Sequence, residues 1–179
     1  MKIGILSDTH DDIENIQEAI NIFNKNEVNL VIHAGDYISP GVIQEFQKLR
    51  SKLIGVLGNN DSEKNEILKY FLEINGDLKG ELGELEIEKL RIGIYHGTDE
   101  TIKKHIIDSK KYNIIICGHT HEREPSNRQT GIIDNEVIVL NPGSAHRKTL
   151  SISRSFDEVG RIIILDIQSK KYQFIDLSN

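Results

Sequence analysis

The sequence predicts an α/β domain of two sheets flanked by helices, and three observations carry that prediction. Short apolar runs at residues 3–6, 30–32 and 53–57 alternate with stretches whose apolar residues recur at helical spacing. Such runs suffice for one buried strand and are too short for a buried helix. From Gly83 to Tyr95 the pattern changes to a period of two, the mark of half-buried antiparallel strands. That period returns between Leu150 and Leu177. Strand and helix in alternation imply parallel strands with right-handed crossovers, and the period-two stretches add antiparallel strands beside them.

The first strand takes Ile3, Ile5 and Leu6 and ends where polarity flips, at Asp8-Thr9-His10. An i, i+2 pair leaving an extended backbone can aim both side chains into the crevice at the sheet's rim, where open α/β sheets bind ligands. Read alone, Asp8, Thr9, Asp11 or Asp12 would more simply cap the next helix. That helix, over residues 12–25, carries Ile13, Ile16, Ile20 and Phe23. Asn29 to His33 gives a second strand running into Ala34-Gly35-Asp36, and Pro40 opens a helix holding Val42, Ile43, Phe46 and Leu49. Leu53 to Leu57 is a third strand, ending in Gly58-Asn59-Asn60-Asp61. Ser62 is expected to cap a helix through Ile67, Leu68, Phe71 and Leu72.

The alternating stretch ends in His96-Gly97, and a helix with Ile102 and Ile106 follows. Its Lys103-Lys104 pair, like Lys110-Lys111, reads as solvated surface, and His105 as exposed. Ile114 to Cys117 is a strand that stops at Gly118-His119-Thr120-His121. Residues 123–136 are polar, with Pro125 and Gly131, and read as an exposed loop or short hairpin. Val137 to Leu140 is a strand entering Asn141-Pro142-Gly143-Ser144, and the tail should form two or three antiparallel strands. With no repeat, low-complexity tract or linker, residues 1–179 read as a single domain.

Composition narrows the function. Of the 179 residues, 37% are hydrophobic and 28% charged, the balance of a globular protein. A net charge of −6 supplies no global basic field for nucleic acid, so no extended nucleic-acid groove is expected. An anionic substrate would have to be drawn in locally, by bound cations or a few basic side chains. Cys117 is the only cysteine, which rules out an intrachain disulfide and fits a reducing compartment. The strand beginning at Lys2 leaves no room for a signal peptide, and no apolar run reaches membrane-spanning length. A cytoplasmic location is therefore expected, with no membrane partner.

Five strands thus end in Asp8-x-His10, Gly35-Asp36, Asn59, His96 and His119-x-His121. Two carboxylates, four imidazoles and an amide suit borderline divalent ions: manganese first, with nickel, iron or zinc as alternatives. A closed structural zinc site would want thiolates. Seven ligands are too many for one small ion and fit two ions sharing a carboxylate, for which Asp36, beside a glycine that permits a tight turn, is the natural choice. Two dications against two carboxylates and a bridging hydroxide leave net positive charge for a phosphate ester. Paired ions about 3.5–4 Å apart can clamp a phosphoryl group and generate hydroxide near neutral pH.

These five segments resemble the motifs of the calcineurin-like metallophosphoesterases, and the length with Asn141-Pro142-Gly143-Ser144 is similar to the small YfcE-type phosphodiesterases of bacteria and archaea. The resemblance runs from the first strand to about Ser144. It implies a four-layer α-β-β-α sandwich, two mixed sheets flanked by helices. It also implies that Asp8, His10, Asp36 and His121 hold one metal and that Asp36, Asn59, His96 and His119 hold the other. The implied activity is hydrolysis of a small phosphodiester by a metal-bridging hydroxide, with Asn59, His96 and His119 as the catalytic set steadying the phosphoryl oxygens. A homo-oligomer is left open.

Two features depart from the pattern. Many larger relatives carry histidine after the asparagine ligand, where it can protonate the leaving oxygen or bind phosphate; here Asn60 stands there, with Asp61 as a rival acid. Beyond Ser144, His146 and Arg147 are candidates for phosphate contact, against a plain surface loop. The bland readings are core or rim histidines for His96 and His119, a packed core histidine for His33, and a buried hydrophobe for Cys117. The alternative function is a non-catalytic interaction scaffold of the same fold, like the retromer subunit. A nuclease is disfavoured by the absence of a basic groove.

Overall fold

Strands β1 (Lys2–Leu6), β2 (Leu30–His33), β3 (Lys52–Gly55) and β4 (Asp77–Leu78) run parallel, each beside the next. The computed structural model that shows this describes residues 1–126, 129–133, 136–146 and 159–178. On the far side of β1, strand β11 (Arg161–Asp166) pairs antiparallel, followed by β12 (Lys171–Asp176) and β9 (Thr130–Ile132). The result is a seven-stranded mixed sheet in the order β4-β3-β2-β1-β11-β12-β9. A second, five-stranded mixed sheet has β5 (Leu82–Ile87) and β6 (Leu90–Tyr95) as a hairpin. It continues through β7 (Ile114–Ile116), β10 (Ile138–Pro142) and β8 (Arg123–Glu124).

Strand periodicity divides the core in two. In β1, Ile3 and Ile5 face the space between the sheets, where they join Ile32, Ile54, Ile92, Ile94, Ile114 and Ile163. Alternate residues point the other way, so Leu6, Val31 and Leu53 meet Ile16, Ile20 and Phe23 of helix α1 (Ile13–Lys25). A Cβ at Gly4 would strike the Phe23 ring, so this glycine lets α1 lie close on the sheet. The 3-10 segment Pro40–Lys48 and helix α2 (Lys64–Glu73) complete that layer. Helix α3 (Glu100–Asp108) lies by the second sheet, its Lys103 paired with Glu124 of β8, which gives the α-β-β-α arrangement.

Several local expectations need correction. The helix opened by Pro40 is 3-10 throughout; Gly41, Val42 and Ile43 are weak helix formers, and the Ser39 hydroxyl donates to Asp11 Oδ2 (2.6 Å) without capping the segment. Ser62 does not cap α2: Glu63 occupies the cap position, without a side-chain bond. Only Ile67 and Phe71 of α2 are buried, whereas Leu68 and Leu72, like Ile102 on α3, are exposed. Lys103 is buried, because α3 turns it onto Glu124 of β8 (Nζ–Oε2 3.2 Å), a partner 21 residues away that local pattern does not reveal. The polar stretch 123–136 makes no hairpin among its described residues: β8 joins one sheet and β9 the other. Leu150, where the alternating tail was expected to begin, lies outside the described residues; β11 and β12 account for the remainder.

Candidate metal centre

The carboxyl ends of β1, β2, β3, β6 and β7 meet at one rim, and each delivers predicted ligands. Backbone bonds lock the loops together: Asp8 N donates to Gly35 O (2.9 Å), His10 N to Asp36 O (3.2 Å) and Gly118 N to His96 O (2.9 Å). The two sheets are joined directly at this point, since His119 N donates to Asp8 Oδ2 (3.1 Å). Asp8, His10, Asp36, His119 and His121 all hold positive φ, between 43° and 69°. That conformation is uncommon for non-glycine residues, and its concentration at one rim is the kind of strain functional sites store.

Five of the seven predicted residues present ligand atoms within reach of one another. Asp8, His10 and His121 form one group, and Asp8, Asp36 and His96 a second. His121 Nε2 lies 3.2 Å from Asp8 Oδ1 and 3.2 Å from His10 Nε2. Asp36 Oδ2 stands 3.4 Å from His96 Nε2 and 3.8 Å from His10 Nε2, and Asp8 Oδ1 is 3.8 Å from His10 Nε2 and 3.9 Å from His96 Nε2. Both carboxylates therefore face both sides, where the sequence suggested Asp36 alone. His119 packs its ring against His96 (centroids 5.3 Å apart), and exposed Asn59 accepts from Thr98 through Oδ1 (3.4 Å). These two flank the groups without entering them.

His96 shows what the rim is prepared for. Its Nδ1 lies 2.7 Å from Ala34 O, an acceptor only, so Nδ1 carries a proton and, in the neutral ring, Nε2 points its lone pair at the carboxylates. That Nε2 is buried and has no hydrogen-bond partner. A lone pair facing two carboxylate oxygens fits a cation between them, and a second-nitrogen bond to a backbone carbonyl is how metal-binding histidines are oriented. Burial works against charge on His96, but Asp36 and Asp8 hold its pKa above the ordinary histidine value. Burial likewise opposes ionisation of Asp8, yet the neighbouring His10, His121 and His96 carry it well below the usual carboxylate range. Asp36 is also depressed, against its burial, by His96 and Asn60.

Other candidates fall into place around this cluster. Asn60 donates its amide N–H to Asp36 Oδ1 (3.0 Å) and its side-chain N–H to Oδ2 (2.7 Å), so it serves Asp36 and does not stand free in the cleft. Asp61 is buried beneath the loops with both oxygens accepting backbone N–H groups. His33 is fully buried: Nδ1 accepts from Gly35 N (3.1 Å), Nε2–H donates to Thr9 Oγ1 (3.1 Å), and desolvation lowers its pKa to about 3. Asp12 caps α1 by accepting from Asn15 N and also pairs with His146 (3.2 Å), whose ring lies 5.8 Å from that of His10. Arg147 lies outside the described residues. His105 is exposed, and Cys117 is buried, its thiol pushed up to about 12 by desolvation.

Sequence reasoning assigned no role to Asn141 and Ser144, which brace the ligand loops. Buried Asn141 donates to Gly118 O (2.9 Å) and Thr120 Oγ1 (3.1 Å), and Ser144 Oγ donates to Asp8 O (2.8 Å). The available signal was the Asn-Pro-Gly-Ser run itself, a turn sequence directly after a strand.

The family described as the calcineurin-like phosphoesterase superfamily domain matches residues 1–170. The chain is 38% identical over 178 residues to a protein of Methanocaldococcus jannaschii named a phosphodiesterase, covering 99% of each. It is 23% identical over 163 residues to the phosphodiesterase YfcE of Escherichia coli, covering 80% of this chain and 79% of that protein. Among solved structures, an archaeal phosphodiesterase superimposes with a TM-score of 0.83 at 37% identity, over 99% of this chain and 100% of the other. Vps29 of Entamoeba histolytica, described in complex with zinc, shares the fold at a TM-score of 0.63 and 17% identity, over 98% and 99% of the two chains.

Proposed function

The chain belongs to the calcineurin-like phosphoesterase superfamily, and on that premise we propose that it is a dinuclear-metal-dependent phosphodiesterase. The observation that carries the reading is buried His96 Nε2, partnerless and aimed at Asp8 and Asp36, with His10 and His121 on the other side of the same carboxylates. In this reading Asp8, His10, Asp36 and His121 hold one ion, and Asp36, Asn59, His96 and His119 hold the other. The ions proposed are manganese, with nickel, iron or zinc as alternatives; imidazole and carboxylate donors without thiolate suit this borderline set. When bound, two such ions supply a hydroxide nucleophile at neutral pH and positive charge for the phosphoryl oxygens.

The protein's own contribution is placement. Ala34 O fixes the His96 tautomer, Asn60 fixes the Asp36 carboxylate, and Asn141 and Ser144 fix the loops of His119 and Asp8. Asn59 and His119 stand at the edge, available to steady phosphoryl oxygens as hydrogen-bond donors. Residues 1–179 act as one domain in this reading. Its substrate is a small phosphodiester, and its place the cytoplasm, in keeping with a single buried cysteine. Among the described residues no helix is long and apolar enough to cross a membrane.

The scaffold reading has in its favour only a likeness of fold to Vps29. All seven predicted ligand residues are present here. Hydrolysis of bis-nitrophenyl phosphate by metal-stripped protein, before and after manganese, tests the proposal. Activity that appears with manganese and is abolished by EDTA supports it. Stoichiometric manganese binding without hydrolysis of any diester would leave the scaffold.

A further inference from the structure

The turn that carries Asp36 holds an unfavourable backbone. Gly35, Asp36 and Ile38 have φ of 100°, 64° and 79°, and for a β-branched isoleucine such a value is a genuine outlier. No helix or strand holds residues 34–39 in place. Asp8, His10 and Asp11 N–H groups reach the carbonyls of Gly35, Asp36 and Tyr37, and one side chain takes the N–H groups of residues 36–38. Asp36 N donates to Asp61 Oδ2 (2.9 Å), while Tyr37 N and Ile38 N donate to Asp61 Oδ1 (2.7 and 3.0 Å). A fourth bond comes from Gly58 N to Oδ2 (2.7 Å). Successive backbone N–H groups around a partly left-handed turn form a concave anion site. Here the anion is the chain's own carboxylate, 1% exposed.

The arrangement is reciprocal. The Asp61 carboxylate takes the backbone of the Asp36 turn, and the Asp36 carboxylate takes the backbone and side-chain N–H groups of Asn60. Contact is close enough that a Cβ at Gly58 would collide with Asp36 Oδ1. Two loops from adjacent parallel strands, β2 and β3, are thereby clamped with Asp36 Oδ2 standing between His96 and His10.

We propose that Asp61 is a positioning residue whose carboxylate fixes the backbone of Asp36 and so sets the metal affinity of the centre. This rests on Asp36 being a metal ligand, as proposed above. With both oxygens engaged below the loops, Asp61 is not the acid that protonates the leaving group.

Two measurements test the clamp. In metal-free wild-type protein, amide hydrogen exchange should show Asp36, Tyr37, Ile38 and Gly58 protected, although they lie outside every helix and strand. Exchange at open-loop rates would overturn the proposal. Manganese alone is then titrated into metal-stripped wild type, Asp61→Asn and a packing control, Phe174→Leu, buried at 0% exposure on β12, three strands along the sheet from β2. Asp61→Asn keeps the shape but sets an NH2 group against N–H donors. Its manganese affinity should fall about 10–100-fold, the range for partners that orient metal ligands. Phe174→Leu should lower Tm and leave that affinity unchanged. Equal affinity in Asp61→Asn and wild type would refute the clamp. Failure of wild type itself to bind manganese would refute the metal reading instead. If Asp61→Asn does not fold, the exchange pattern of wild type decides.

Discussion

Asp8 belongs to two groups of ligand atoms, and their surroundings differ. On one side Asp8, Asp36 and His96 are all buried, with His96 anchored to Ala34 O and Asp36 held by Asn60. On the other, the side chains of His10 and His121 are each 18% exposed and touch each other, with His146 beyond them. The first is a preorganised position in a low-dielectric interior, where charge interactions are strong. The second opens on the solvent from which a substrate must arrive. Two ions at these positions should therefore bind unequally, the inner one more tightly.

Asp36 also faces both sides, 3.4 Å from His96 Nε2 and 3.8 Å from His10 Nε2, and its removal is the largest expected effect. Asp36→Ala should lower occupancy of both positions and reduce kcat/KM for a diester by at least about 10²–10³, the loss typical of a charge-stabilising group. Elemental analysis beside the kinetics checks it, and full occupancy in Asp36→Ala would remove Asp36 from the centre. His10→Ala should act on one side only, leaving close to one tightly held ion per chain. If His10→Ala instead empties both positions, the sides are not separable.

Much of this contrast was legible in the sequence, and the illegible part has definite causes. Asp8-x-His10 and His119-x-His121 announce themselves because polar pairs directly follow apolar strands, and strand ends are where sheets place ligands. The two sheets were equally plain, since Gly83–Tyr95 alternates and Leu30–Ile32 does not. Burial of Lys103 was not legible, because its partner Glu124 arrives from another sheet edge. Nor were the left-handed conformations of Asp8 and His10, which no neighbouring glycine marks. The role of Asn60 is legible only in part. A missing acid can be read from residue type, but its bonds to Asp36 depend on how two loops meet.

That double character makes Asn60 the next lever on the inner side. Asn60→His should raise the rate on alkyl diesters relative to aryl diesters, by up to the roughly 10²–10⁴ that a positioned acid supplies. Loss of the Asn60 bonds to Asp36 should at the same time weaken the inner ion. Matched kcat/KM values with manganese titrations separate the two effects, and absence of any aryl preference in wild type would end the missing-acid reading.

The smallest effect concerns what lies beneath the inner side. His33 is held neutral, its pKa lowered to about 3 by burial, whereas the unfolded chain protonates it near 6.5. Between those values the unfolded state binds the extra proton, so stability is present above pH 6.5 and declines as pH falls. The contribution reaches about 2 kcal/mol between pH 6.5 and 5. Denaturant melts of metal-free wild type and His33→Phe at both values test it. The variant should be less stable throughout, with a shallower pH dependence; an unchanged slope would mean that His33 does not carry the effect.

Stepwise titration of manganese into metal-stripped wild type, beside His10→Ala, tests the central claim most directly. Two unequal steps are expected in wild type, with the weaker one absent from His10→Ala and the tighter one kept. A single step with one ion per chain in wild type, or loss of the tighter step in His10→Ala, would contradict the account.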